Sequence, residues 1–287
     1  MTETYSVIRQ LANDHAVSLL CETLGASRSA YYSWHNEERG PRRREDDRLK
    51  PLIHGIFWEH KRRAGARRIS EELVARGYIG GRRRVGRLMH EMKLVAIQPR
   101  AFKPRTTDSR HTLGYNDNLL LNATPPNQVN QLWVGDITYI PLVSRKFLYL
   151  AVLMDRYSRR IISWELQDHM RELLVLATLR AAIAARQPKP GLIHHTDRGG
   201  QYAGIQYRKL IDRAGMKQSM SRAADCYDNA FMESCFGSLK TELELKPYRN
   251  WRVAQKEVAD YIRYYNTRRR HSGIGYMSPA AFEDCPR

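Results

Sequence analysis

The sequence of 287 residues predicts an α/β protein in which a mixed-sheet core is preceded by an all-α, helix-turn-helix region. Apolar residues recur at helical spacing through the N-terminal part, three strand-like segments then succeed one another, and helical and strand patterns alternate after them. A chain this long can bury more than one core, so several domains are expected. Their boundaries are read as 1–40 for a short helical segment, 41–97 for a basic helix-turn-helix domain, 98–129 for a linker, 130–247 for the α/β core, and 248–287 for a C-terminal helix with a basic tail.

In the first segment Val7, Leu11, Val17, Leu19, Leu20 and Leu24 lie at near-helical spacing, Gly25 interrupts them, and Ser27 is placed to cap residues 28–34. The polar stretch 40–47 has the composition of a hinge. Beyond it Leu49, Leu52, Ile53 and Ile56 form one stripe, Ile69, Leu73 and Val74 a second, and Val85, Leu88, Met89, Met92 and Leu94 a third. With Gly77, Gly80 and Gly81 at a turn, three such helices make a small helix-turn-helix domain. Periodicity fails over 98–129, where Pro99, Pro104, Pro125 and Pro126 alternate with polar and basic residues, the pattern of a linker. Strands are then expected at 133–142, 146–155 and 160–167 as a meander, followed by a helix at 172–186, a strand at 192–195, a helix at 205–214, a short strand at 218–220, and long helices at 228–243 and 251–267. Three consecutive strands followed by alternating helices and strands is the order of the ribonuclease H fold, a mixed sheet flanked by helices.

Charge points to the partner. A net charge of +18 and a pI near 10.0 imply a polyanion, because phosphate neutralisation and counterion release reward clustered Lys and Arg whatever the base sequence. Between Lys61 and Arg105 there are fourteen Lys or Arg against three Glu. The excess is therefore concentrated in the helical domain and the linker, and the linker is expected to lie on DNA. The third helix opens with Arg82, Arg83, Arg84 and Arg87, so its outer face is the candidate groove-facing surface, a solvated basic face being the plain alternative. Arg83 and Arg87, four apart, share a side away from the buried stripe and are the base-reading candidates. Cys21, Cys226, Cys235 and Cys285 show no C-x-x-C spacing, and no N-terminal apolar stretch suits secretion or spanning. These features read as a reduced cytoplasmic protein, nucleoid-associated when bound to DNA, with no structural zinc and no membrane partner.

Three acidic residues carry the chemistry. On the first strand Leu132, Val134, Asp136, Thr138 and Ile140 share one face, and a carboxylate in that apolar file is costly unless a metal or partner compensates it. Asp197 ends the run Leu192-Ile193-His194-His195-Thr196 and precedes Arg198-Gly199-Gly200, while Glu233 sits on a helix among Ala230, Phe231, Met232 and Phe236. Singly, each has an ordinary reading: a salt-bridged strand residue, a turn former, a surface ion-pair partner. Jointly they offer oxygen-only ligands, which select hard divalent cations, and a pair of such cations is the usual device for in-line attack on a phosphodiester. Asn229 lies one turn before Glu233 and Lys240 two turns after it on the same helix face, placing both as candidate DNA contacts; Asn229 reads also as a group that orients the carboxylate, Lys240 equally as a solvated lysine, and Asp228 is read as the helix N-cap. His194 and His195 point to opposite faces of a strand and cannot both reach one ion, so one is assigned to packing and the other remains a candidate neighbour of the ligands. In the tail Arg268, Arg269 and Arg270 are candidate DNA contacts, and His271 reads either as a phosphate contact or as a surface histidine.

Asp197 and Glu233 have thirty-five residues between them. That spacing, the motif from His194 to Tyr202, the Asp228-Asn229-Ala230 that precedes Glu233, and the segment from Tyr264-Tyr265-Asn266 to Arg270-His271-Ser272 resemble the Asp-Asp-Glu class of retroviral-type integrases and bacterial insertion-sequence transposases. The match covers roughly 45–285 and resembles the long second-frame product of a two-frame insertion sequence. The resemblance implies that Asp136, Asp197 and Glu233 are catalytic and hold two Mg2+ or Mn2+ ions. It also implies binding to the terminal inverted repeats of an element and to target DNA, strand cleavage, 3′-hydroxyl strand transfer, and assembly into at least a dimer on paired ends. An upstream-frame product with a further helix-turn-helix and a leucine zipper is an implied partner. Competing functions are an integrase or nuclease acting on other DNA, and a DNA-binding regulator or inhibitor of transposition with an inactive core.

Overall fold

The structure, a computed structural model, describes residues 2–35, 41–98, 114–121, 123–221 and 230–285, and divides into two compact units, Met1–Ala96 and Ile97–Arg287. Among the described residues no helix is long and apolar enough to cross a membrane.

The first unit opens with α1 (Thr2–Leu11), α2 (Val17–Thr23) and α3 (Arg28–His35). Ile8, Leu20, Cys21 and Tyr31 form its core, with Tyr5 and Trp34 packed against them. Of the apolar stripe expected from sequence, Leu20 is buried and Val17 packs against this core. Val7, Leu11, Leu19 and Leu24 are exposed, because so small a cluster buries about one residue per helix and aromatic rings close it. Ser27 does cap α3, accepting the Ala30 N–H at 3.5 Å.

Next come α4 (Pro41–Glu59), α5 (Ala66–Ala75) and α6 (Arg82–Glu91), which bury Leu49, Ile53, Ile56, Phe57, Ile69, Leu73, Val85, Leu88 and Met89 in one core. Val74, assigned to the stripe, is exposed. Residues 41–47 are the first turns of α4 and not a hinge: proline is tolerated at a helix start, and Asp46 there reaches α6. The α5–α6 turn depends on glycine twice. Gly77 ends α5 at φ +82°, and a Cβ on Gly80 would press the Leu73 methyl at 2.9 Å.

The second unit is built on a five-stranded sheet of β1 (Leu132–Pro141), β2 (Phe147–Asp155), β3 (Ile161–Gln167), β4 (Ile193–Thr196) and β5 (Lys217–Met220), in the order β3-β2-β1-β4-β5. β1 to β3 form an antiparallel meander, and β4 and β5 add in parallel to β1. One face carries α7 (Glu172–Arg186) and α8 (Ile205–Arg213); the other carries α9 (Ala230–Glu242) and α10 (Trp251–Thr267). The pleat sorts β1 as expected: Leu132, Val134 and Ile140 meet α9 and α10, whereas Trp133 meets α7 and α8.

Two departures concern the chain's ends. Part of the expected linker docks along the edge strand, with Asn116 Nδ2 donating to Gln218 Oε1 (2.7 Å), the Leu119 N–H to Ser219 Oγ (3.0 Å) and the Met220 N–H to the Asp117 carbonyl (3.3 Å). An open strand edge offers unpaired backbone groups, and this segment satisfies some of them. Residues 99–113 lie outside the described residues. Beyond α10 the tail folds into a 3-10 turn (Ser272–Ile274) and α11 (Pro279–Asp284), whose Glu283 accepts from Ser158 Oγ (2.7 Å), Arg160 (2.7 Å) and Arg186 (2.8 Å).

Candidate active site and nucleic-acid interface

Asp136 lies midway along β1 on the α9 side. β4 runs beside it in parallel register, Trp133 level with His194 and Val134 with His195, so two further steps bring Asp197, just past the end of β4, level with Asp136. The turn at Asp197 is self-bonded, its Oδ1 accepting the Gly199 N–H at 2.9 Å. Glu233 is exposed in the first turn of α9.

Asp136 is half-buried, and its Oδ1 accepts the Ile137 N–H at 2.7 Å. Burial, then the Asp197 carboxylate, then Glu233 push its pKa well above the usual carboxylate range; the Ile137 N–H and the Lys240 ammonium oppose them. The pKa of Tyr202, buried in the core on the α7 and α8 side, is raised by burial, then by Tyr207 and by both aspartates. Among the described residues no three of His, Cys, Asp and Glu close into a ready-made metal cage. Residues 222–229, immediately before α9, lie outside them, and with them Asn229 and Asp228. The donor set nonetheless fits a hard dication. All three groups are carboxylates, and the burial and mutual repulsion that raise the Asp136 pKa are what a divalent cation would relieve.

Lys240 is half-buried with its ammonium over the Tyr139 ring at 4.5 Å, and burial lowers its pKa while Asp136 opposes that. The two histidines take opposite faces of the sheet, as expected, His194 level with Trp133 and His195 with Val134. Both are fully buried: His194 Nε2 bonds the Tyr207 hydroxyl at 2.6 Å and His195 Nδ1 the Ser219 hydroxyl at 2.8 Å. Burial lowers His194 to about 3, so it stays neutral.

The arginines divide sharply. Arg82 and Arg83 are exposed on the first turn of α6. Arg84, by contrast, turns toward α4, bonding Asp46 (2.6 Å), Glu45 (2.7 Å) and the Arg42 carbonyl (3.0 Å), and Arg87 bonds Asp46 (2.6 Å) and Glu91 (2.5 Å). Arg83 and Arg87, expected to share a groove-facing side, are both exposed, but Arg87 is engaged by Asp46 and Glu91 and Arg83 is not. In the tail Arg269 is buried, its guanidinium on both oxygens of Glu242 (2.8 and 3.0 Å) and on Ser238 (3.0 Å), so it is a core ion pair and not a surface contact. His271 packs edge-on against Tyr265, centroids 4.5 Å apart, and bonds Arg269. Arg270 bonds the Tyr276 carbonyl at 3.0 Å, and Arg268 is exposed. Sequence reading missed Asp46 and Glu242, the carboxylates that capture these arginines. The signal was present in Glu45-Asp46-Asp47, read as part of a polar hinge, and in Glu242, on a helix read for its apolar residues and Glu233.

A mixed sheet in this strand order, with carboxylates at adjacent parallel strands and on a facing helix, defines a ribonuclease H-like catalytic core. Residues 126–226 and 214–279 match models described as integrase core domains, and 44–102 match one described as an HTH-like domain. The chain is 41% identical over 268 residues to the insertion element IS600 31 kDa protein of Shigella sonnei, covering 92% of this chain and 97% of that one. It is 40% identical to the transposase for insertion sequence element IS904 of Lactococcus lactis (85% and 98% covered) and 34% identical to transposase InsF for IS3A of Escherichia coli (98% of each). A chain of the simian T-cell lymphotropic virus intasome complex superposes with a TM-score of 0.50 at 17% identity, covering 63% of this chain and 62% of that one, which shows the shared fold. The chain belongs to the insertion-sequence transposases with an integrase-type core. It is thus a DNA-binding polynucleotidyl transferase of the Asp-Asp-Glu type, in a divalent-metal-dependent class.

Proposed function

We propose that this transposase binds the terminal inverted repeats of its element, nicks them, and joins the freed 3′-hydroxyl to a target strand, with Asp136, Asp197 and Glu233 as the catalytic carboxylates holding two Mg2+ or Mn2+ ions. The observation that carries the reading is the parallel register of β1 and β4, which brings Asp197 level with Asp136 on the side of α9 and its Glu233; burial first, then Asp197 and Glu233, raises the Asp136 pKa there. Bound dications supply activation of the attacking hydroxyl and stabilisation of the leaving 3′-oxygen. The chain's own residues position them: β1 and the end of β4 fix the two aspartates side by side, α9 brings Glu233 over them, and Lys240, held against Tyr139, faces the strand beside the carboxylates. Asn229 and the exposed Arg268 are further contacts to DNA. End recognition belongs to the α4–α6 domain through Arg82 and Arg83, while Arg84 and Arg87 shape that face from α4.

The active form is at least a dimer, because two ends must be held together for joining, and an upstream-frame product that adds another helix-turn-helix and a leucine zipper is a fitting partner. It works in the cytoplasm, on the nucleoid. The test is a strand-transfer assay on labelled element ends with Mg2+ or Mn2+. Asp136→Asn, Asp197→Asn and Glu233→Gln should each remove nicking and joining while retaining end binding, and near-normal joining by any of them removes that residue from the site.

A further inference from the structure

The turn between β2 and β3 carries three arginines, and two of them meet no acidic partner among the described residues. Arg160 is paired with Glu283 at 2.7 Å. Arg156 and Arg159 instead lie over the ring of Phe231, their guanidinium carbons 3.2 and 4.2 Å from its centroid. Both are half-buried, and among the described residues neither guanidinium donates a hydrogen bond or meets a carboxylate. Burial, and then Arg159, lower Arg156 to about 10, while burial lowers Arg159. A half-buried charge that lacks a counter-ion is costly, and two guanidiniums on one ring add mutual repulsion.

The backbone holds them there firmly. Asp155 Oδ1 accepts the N–H groups of Tyr157 (2.9 Å) and Ser158 (3.0 Å), the Arg156 N–H donates to the Leu132 carbonyl (2.9 Å), and Arg159 adopts φ +64°. Such a positive φ is uncommon outside glycine and persists where surrounding contacts over-determine it. A guanidinium stacked by its face keeps its edge N–H donors free, and those donors match phosphate oxygens in a fork. Phe231 lies two residues before Glu233 on α9.

We propose that Arg156 and Arg159, stacked on Phe231, form a phosphodiester-binding site that holds one backbone phosphate of the DNA beside the catalytic helix. It extends the transposase reading by a binding site and relies on that reading only for DNA as the polyanion. The experiment measures affinity and not chemistry, so a chain that binds normally but fails to cut bears on the carboxylates alone. Full-length wild type and the Arg156→Gln/Arg159→Gln double variant are titrated with salt on a fluorescent random-sequence duplex. The variant should lower the slope of log affinity against log salt by about one, a several-fold weakening at ~0.1 M salt, and the Arg156→Lys/Arg159→Lys variant should restore most of the slope. An unchanged slope in the Gln variant overturns the proposal, whatever its melting temperature. A second measurement needs no variant: the duplex should protect Arg156 and Arg159 of the wild type from phenylglyoxal, read by peptide mass spectrometry, and equal modification with and without DNA equally overturns it.

Discussion

Asp46 and Asp136 are both carboxylates drawn in from solvent, and their surroundings are opposite. In the helical unit, Asp46 meets two guanidiniums. Although burial pushes it upward, the Arg87 and Arg84 hydrogen bonds hold its carboxyl below the usual range. In the catalytic unit, Asp136 meets two further carboxylates, and burial and repulsion act together to push it well above that range. A carboxylate that serves only folding is neutralised from within the chain. One that is left among its own kind requires charge from outside, and a hard cation is what three carboxylates select.

The contrast breaks most visibly on mutation of Asp136. Asp136→Asn should reduce strand cutting by about a hundredfold or more, since a bound metal contributes several kcal/mol of charge stabilisation in such reactions. The metal-free protein should not lose stability and should lose one pH dependence. With its folded pKa raised, Asp136 makes the metal-free core less stable as pH rises from its ordinary value of 3.8 toward the raised one, and Asn abolishes that slope. Thermal melting against pH with chelator present, beside a cutting assay, measures both. A steep loss of stability in Asp136→Asn would show that the carboxylate is structural after all.

The buried pair in the tail gives the next effect. Arg269→Ala leaves Glu242 buried without its cation and should cost about 3–5 kcal/mol in denaturant unfolding, with no change in the salt slope of DNA binding. A changed slope with little lost stability would return Arg269 to the DNA surface. In the helical unit, Asp46→Ala frees two guanidiniums from a half-exposed network and should cost less, about 1–3 kcal/mol. Its stabilisation is present above 3.8 and lost as pH falls through the lowered folded value, the reverse of Asp136. The smallest expected change separates the α6 arginines. Arg83→Ala should lower the salt slope on DNA by about one with negligible loss of stability, whereas Arg87→Ala should mainly lower stability. Equal slope changes in both would show that Arg87 leaves Asp46 when DNA binds.

Local pattern made most elements legible. α7 and α10 fall on the residues expected, and the meander, the parallel additions and the long α9 follow within a residue or two, because period-2 and period-3.6 apolar spacing is written in the chain. α11 was not expected, being a single short turn of helix anchored by Glu283 to three distant side chains. The N-terminal stripe was read correctly at Val17 and Leu20 but not at Val7, which fits a helical period as well as Ile8 does; which of them is buried depends on the neighbouring helices.

By itself the sequence determined the order of strands and helices, the apolar faces of β1 and α9, the spacing of the three acidic residues and the basic character of the helical domain. These rest on interactions between residues close in the chain or on composition. Only the tertiary structure decided which charges meet. Arg84 and Arg87 reach Asp46 across 38 and 41 residues, Arg269 reaches Glu242 across 27, and Arg156 and Arg159 reach no carboxylate among the described residues. Electrostatic partnership depends on distance in space and on the loss of water between the groups, and neither is encoded in local spacing.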